Sequence, residues 1–209
     1  MNALPKLPPI IVLSAPPQAG KDTSARFLMS CARNGEYIKP SAPFKKLVHN
    51  HYGLFGITPT FYEGIKDVPR PEFNGRSARE AYIDFFENYL KKRFGPDVIV
   101  KPTVQRLKDI KVAAEKPDMV VIDGSTMEEF SYLKSAGVVR AMKVLRIHRP
   151  GRSFEGAGDS REFLRNTGLE EFDIYNEGPA SLNEQMQDFA FKFGLVGAVE
   201  EEPLMAVGM

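Results

Sequence analysis

Apolar positions along the chain follow two periodicities that alternate. Residues 10–13 form a continuous run of β-branched and apolar side chains, the pattern of a strand buried on both faces. A loop of Pro and Gly follows. Residues 22–34 then predict a helix, with Ala25, Leu28, Met29 and Ala32 at helical spacing and Asn34-Gly35 as its stop. Residues 37–39 predict a short strand. Residues 44–52 predict a helix with Phe44, Leu47, Val48 and His51 on one side. The stretch 53–75 is irregular and rich in Gly and Pro, too long for a simple connector. Residues 77–94 predict an amphipathic helix whose stripe is Ala81, Tyr82, Phe85, Phe86, Tyr89 and Leu90. Gly95-Pro96-Asp97 breaks it. Asp97 stands where it can cap a further helix reaching to about Lys116, with Pro102 as an early irregularity.

The second half repeats the alternation. Residues 119–122 predict a buried strand ending in Asp123-Gly124. A helix over 127–135 follows, closed by Gly137. Residues 141–148 form a third strand, 149–160 a loop rich in Gly and Arg, and 159–166 a short helix. Residues 172–175 give a fourth clear strand, and 181–193 a helix with Leu182, Met186, Phe189, Ala190 and Phe193 on one face. The tail from 195 to 209 is acidic and then apolar. Strands alternating with helices imply βαβ units and an α/β fold, a parallel sheet covered on both faces. Ligands of such sheets sit at the carboxyl ends of the strands, where the loop after the first strand and Asp123 both fall.

Composition narrows the function class. With 43% hydrophobic and 26% charged residues, the chain is neither disordered nor fibrous. A formal net charge of +1 supplies no field for a polyanion, so no nucleic-acid partner is expected. No segment is apolar for long enough to span a bilayer, so no membrane partner is expected either. Cys31, the one cysteine, excludes an intramolecular disulfide and suits a reducing cytoplasm. His49, His51 and His148 share no ligand spacing with it, so no zinc site is expected.

The candidate chemistry lies in Ala15-Pro-Pro-Gln18-Ala19-Gly20-Lys21-Asp22-Thr23, between the first strand and the first helix. That is the context of a P-loop. Backbone N–H groups of the loop and the helix start would face phosphates. Gly20 would let the backbone approach closely. Lys21 would supply a charge to the β- and γ-phosphates, and Thr23 a hydroxyl to a phosphate or to Mg²⁺. Ala15 stands where a P-loop ordinarily begins with glycine, and Asp22 separates the lysine from the hydroxyl.

Gly20-Lys21-Asp22-Thr23 resembles the loop of the phage-type deoxynucleoside monophosphate kinases, within the P-loop nucleoside monophosphate kinase-like group. The resemblance continues in order. It takes in residues 42–47, the segment Gly75-Arg76-Ser77-Ala78-Arg79-Glu80, the turn Phe94-Gly95-Pro96-Asp97, Val121-Ile122-Asp123 with Glu129, and Phe172-Asp173 with Asn176 and Gly178. It implies a single three-layer αβα P-loop kinase domain over residues 1–209. Residues 40–96 would be a helical acceptor-binding insertion, 149–165 a short lid and 195–209 a C-terminal tail. It implies ATP and Mg²⁺ as cofactors, transfer of the γ-phosphoryl group to a (deoxy)nucleoside monophosphate, and a place in the cytoplasm, the host's if the chain is phage-encoded. A homodimer is the one macromolecular partner left open.

Roles follow from the same resemblance. Arg79 would bind the acceptor phosphate from a helix start, with Arg76 one turn earlier and Lys45 opposite. Arg149, Arg152 and Arg161 would close over the transferring group. For Asp123 two readings stand: a ligand of Mg²⁺ that also borders the acceptor, or a cap of the following helix. Tyr82, Phe85, Phe86 and Tyr89 read as core, with base stacking as the alternative. The family's arginine two residues after the aspartate is Ser125 here, which bears on acceptor choice. Two other functions therefore stay open: a catalytically weak nucleotide-binding protein with a regulatory or assembly role, and a kinase of another small metabolite.

Overall fold

A computed structural model describes residues 7–124, 126–155 and 161–195. Five parallel strands form one sheet in the order β2-β3-β1-β4-β5, built from β1 (Ile10–Ser14), β2 (Gly35–Ile38), β3 (Met119–Asp123), β4 (Met142–His148) and β5 (Glu170–Tyr175). The central β1 is buried at every position. Its side chains alternate between two cores, as a pleated strand requires. Ile11 and Leu13 pack with Ala25 and Leu28 of α1 (Lys21–Ser30) and with Leu182, Met186 and Phe189 of α7 (Pro179–Lys192). Ile10 and Val12 pack on the other face with Val104, Leu107 and Ile110 of α5 (Lys101–Val112) and Phe130 and Leu133 of α6 (Met127–Leu133). Two helical layers thus enclose the sheet, giving the three-layer α/β architecture that the alternation predicts. Among the described residues no helix is long and apolar enough to cross a membrane.

Residues 40–96 carry a third, smaller core of Val48, Tyr62, Phe73, Ala78, Ala81 and Tyr82. It joins α2 (Ala42–His51) to α3 (Ala78–Asp84) through two short 3₁₀ turns, Pro59–Tyr62 and Pro71–Phe73. The irregular stretch is therefore anchored by fully buried Tyr62 and Phe73. His49 locks this core. Its Nδ1 lies 2.8 Å from the Ile57 carbonyl, which can only accept, so Nδ1 carries the proton. Nε2 then accepts from the Tyr82 hydroxyl at 2.7 Å.

Several expectations shift. Helix α1 ends at Ser30, because Asn34 is taken up by the sheet: its N–H donates to the Asp118 carboxylate at 3.0 Å and its carbonyl accepts from Asp118 N–H at 2.8 Å. The buried face of α2 carries Val48 and His49, while Leu47 is 47% exposed. Helix α5 starts at Lys101 and ends at Val112, with Pro102 in the first turn, where its missing N–H costs no hydrogen bond. Asp97 serves by its carbonyl, which accepts from Val100 and Lys101 N–H, and its side chain does not cap. No helix forms over 161–166. Leu164 N–H donates to Ser14 Oγ and its carbonyl accepts from Arg146, so tertiary partners hold the backbone groups a helix would need. The remainder of that predicted helix, Ser125 and the tail beyond Leu195 lie outside the described residues.

Candidate functional site

The loop after β1 is built by local backbone chemistry. Ala19 N–H donates to the Pro16 carbonyl at 3.2 Å, closing a turn with Pro17 second and Gln18 third. Gln18 has φ +61°, the left-handed conformation of the third position of a type II turn. Such a φ costs a non-glycine residue on the order of 1 kcal/mol. Arg149 at the end of β4 secures it by donating from Nη1 to the Gln18 carbonyl at 2.8 Å. Ala15 and Ala19 are buried in the sheet-side core, so these two loop residues anchor the loop and do not line the cavity.

Gly20 is the N-cap of α1 with φ +108°. A Cβ there would stand 2.6 Å from Asn176 Nδ2 and 3.1 Å from a Leu182 methyl. The space its hydrogen leaves is thus filled by Asn176 behind the loop. Buried Asn176 in turn donates from Nδ2 to the Ala19 carbonyl at 2.8 Å. The glycine is required, but for loop packing as well as for its φ. The first helical hydrogen bond runs from Ser24 N–H to the Gly20 carbonyl. The first-turn N–H groups of Lys21, Asp22 and Thr23 precede it, in the position that favours an anion.

Lys21 Nζ meets Asp123 Oδ1 at 2.8 Å at the carboxyl ends of the paired strands β1 and β3. The contact is an ion pair without hydrogen-bond alignment, and Oδ1 is buried. Asp123 does not cap α6. Thr126 does, in a reciprocal capping box with Glu129. That geometry removes the capping alternative: Asp123 lines the cavity, paired with Lys21. A Cβ on Gly124 would come within 3.1 Å of Lys21 Nζ, so the glycine leaves room for the ammonium.

These groups open onto a cavity of about 350 Å³ between the sheet and the 40–96 insertion. Lys21, Asp22, Thr23 and Asp123 line it from the loop and sheet; Lys45, Lys66, Arg79, Tyr82 and Phe86 line it from the 40–96 insertion, and Arg161 also lines it. Its cations are held by acids. Lys39 pairs with Asp22 at 3.0 Å, and Glu63 takes Lys45 at 2.9 Å and Lys66 at 3.2 Å. Arg79 pairs with Asp67. Burial raises the Asp22 carboxyl, but the hydrogen bond and charge of Lys39, with Lys21 and Lys66, outweigh it and hold it below the usual range. Glu63 is likewise raised by burial and lowered further by Lys45 and Lys66. Asp67 is held low chiefly by its hydrogen bond from Arg79. Lys45 also lies over the Tyr82 ring, 5.2 Å from its centroid.

The sequence-predicted arginines separate. Arg79 lines the main cavity and also a second, more open one with Gln18, Asp67 and Arg152. Arg76 lines neither cavity and pairs with Asp84 at 2.8 Å. The reason is the cap: Ser77 is the N-cap, in a capping box with Glu80, so Arg76 lies in a bend before the helix while Arg79 sits inside its first turn. They share no helical face. Tyr82 is buried yet lines the cavity, as does Phe86, whereas Tyr89 is 50% exposed.

Sequence reasoning missed Lys39, Lys66 and Glu63, for which no motif gives a signal. It missed the bracing role of Asn176, and it missed Arg146. Arg146 is buried, donates to Asp173 at 2.8 and 2.7 Å, and also pairs with Glu171. Its signal was there: a charged residue inside an otherwise apolar strand requires a buried partner.

No protein-family model matches the chain, and no curated protein matches it. Similarity to solved structures is confined to shape. A protein from Thermus thermophilus is 16% identical with TM-score 0.48, covering 90% of this chain and 98% of that one. Thymidylate kinase from Candida albicans is 12% identical with TM-score 0.44, covering 91% and 94%. Shikimate kinase from Acinetobacter baumannii is 12% identical with TM-score 0.42, covering 90% and 94%. Identities of this size leave the activity to be argued from the site: a strand–loop–helix cradle with a lysine and an aspartate at the carboxyl edge of a parallel sheet, facing a second cationic wall.

Proposed function

We propose that the protein is an ATP-dependent kinase that transfers a γ-phosphoryl group to a (deoxy)nucleoside monophosphate. The observation that carries this reading is the opposition of two cationic walls across one cavity, Lys21 with the first turn of α1 on one side and Lys45, Lys66 and Arg79 on the other. A triphosphate site alone needs only the first. A second anion site facing it, lined by aromatic Tyr82 and Phe86, suits an acceptor that carries both a phosphate and a base.

Phosphoryl transfer is chiefly positioning and charge stabilisation. In this reading the α1 N–H groups and Lys21 hold the triphosphate, and Arg79 holds the acceptor phosphate. Arg152, which lines the adjoining cavity, neutralises the transferring group, and Arg149 braces the loop through the Gln18 carbonyl. The residues suit Mg²⁺: Thr23 offers a hydroxyl, and Asp123, paired with the Lys21 ammonium, offers a carboxylate at the cavity. Bound there, the metal would neutralise phosphate charge. Lys21 and Asp123 hold each other at rest and part when Lys21 turns to the phosphates.

An ADP-release assay across the deoxynucleoside and ribonucleoside monophosphates tests the reading. Turnover with at least one is expected. ATP binding without turnover on any of them would leave the protein a nucleotide-binding module, and turnover only on another phosphate-accepting metabolite would move the acceptor class.

A further inference from the structure

One part of the cavity lining sets two acids about one cation. Here the wall is Glu87, Lys91 and Glu129, beside Tyr82, Phe86 and Ile99. Lys91 Nζ lies between two carboxylates, 2.8 Å from Glu87 Oε1 and 3.4 Å from Glu129 Oε1. Glu129 is 8% exposed, and its Oε2 accepts from Thr126 N–H at 3.2 Å. Burial pushes its carboxyl up against the pull of Lys91.

Lys91 reaches this wall through a local irregularity. Nine residues separate it from Tyr82, half a turn out of phase in a regular α-helix of 3.6 residues per turn. Residues Phe85–Leu90 form a π turn between α3 and α4 (Lys91–Phe94). Each residue of that wider turn rotates through a smaller angle, so Lys91 comes round to the face of Tyr82 and Phe86. The two rings are nearly parallel, 13° apart, with centroids at 6.3 Å. π turns recur where a helix serves a site.

We propose that Glu87, Lys91 and Glu129 form the base-selecting wall of the acceptor site, favouring bases with an exocyclic amino group and disfavouring thymine and uracil. This rests on the reading of the cavity as a nucleotide-acceptor site. With the acceptor phosphate at Arg79, the base lies toward Tyr82 and Phe86 and its edge meets two carboxylates and one ammonium. Carboxylates only accept hydrogen bonds. The amino groups of adenine, cytosine and guanine donate to them. Cytosine and guanine each carry one carbonyl, which the Lys91 ammonium can serve; thymine and uracil carry two flanking a single N–H, so the second is left to a carboxylate. Unpaired polar groups discriminate strongly in such pockets.

The test is calorimetric binding of dAMP, dCMP, dGMP and dTMP to the full chain, wild type and Glu87→Gln, alongside turnover. At least one amino-bearing monophosphate is expected to bind about tenfold or more tighter than dTMP. Glu87→Gln, whose amide can donate to a carbonyl, is expected to narrow that ratio severalfold. Glu129→Gln, which keeps the capping box, provides the second variant. Equal or tighter binding of dTMP, no binding by any monophosphate, or a ratio unmoved in both variants overturns the proposal. Turnover without base discrimination would sink this inference alone. Discrimination without turnover would sink only the kinase reading.

Discussion

The two walls of the cavity are made in opposite ways. The phosphate-loop wall comes from one short stretch of chain, residues 16–23 without the buried Ala19, plus Asp123, which parallel pairing of β1 with β3 places directly beside it. Its backbone is pinned from behind by Asn176 and from the side by Arg149. The insertion-side wall gathers Lys45, Lys66, Arg79, Tyr82 and Lys91 from α2, an irregular connector and an interrupted helix, and Lys45, Lys66 and Arg79 hang on salt bridges to the exposed acids Glu63 and Asp67. The first is a rigid cradle. The second is a set of paired charges, which on the proposed reading would exchange those partners for an acceptor phosphate.

Substitutions should separate the two walls. Lys21→Ala at the cradle is expected to lower phosphoryl transfer by about 10²–10³-fold or more, the scale of one charge-stabilising donor. Initial-rate kinetics at saturating acceptor would read it. Arg79→Ala should raise the acceptor KM by about 10–100-fold, the value of a charged hydrogen bond, while ATP affinity stays within about twofold. If both substitutions weakened ATP binding equally, the division into two walls would fail.

Rigidity of the cradle side has a pH signature. Arg146, with help from His148, holds the Asp173 carboxyl down to about 2. A depressed folded-state value contributes stability that is present above the ordinary carboxylate range and lost as pH falls through about 4 toward 2. After allowing for its partial exposure, Asp173→Asn should cost about 1–2 kcal/mol in denaturant titrations at pH 7 and much less near pH 2. A cost independent of pH would contradict it. Arg76→Ala carries the smallest expectation: less than about 0.5 kcal/mol in stability and no measurable change in acceptor KM, because its partner is an exposed acid outside the cavity.

The same contrast explains what the sequence made legible. Ile10-Ile-Val-Leu, the loop and Asp123 are contiguous signals, each read from its own neighbours, and the parallel α/β fold followed from their alternation. Gly20 was legible as a required glycine, but Asn176 and Leu182, which fill the space of its absent Cβ, lie more than 150 positions away. The acceptor wall depends on phase. Arg76 and Arg79 stand one turn apart by counting, but Ser77's cap leaves Arg76 outside the helix, paired with Asp84. Lys91 was invisible because a regular helix would turn it away from Tyr82, and only the π turn restores it. The helix expected over 159–166 gives way, over its described residues, to a strap held by Ser14 and Arg146, a competition between local propensity and tertiary hydrogen bonds that no window of sequence contains.

The central claim is that one reaction joins these two walls. A compound with two nucleosides linked by five phosphates spans a triphosphate site and a monophosphate site at once. If the walls face each other across one reaction path, it should bind about 10²-fold or more tighter than ATP, since the second contact becomes intramolecular. Lys21→Ala and Arg79→Ala should each remove most of that gain. Binding no tighter than ATP, or insensitive to Arg79, would contradict the account.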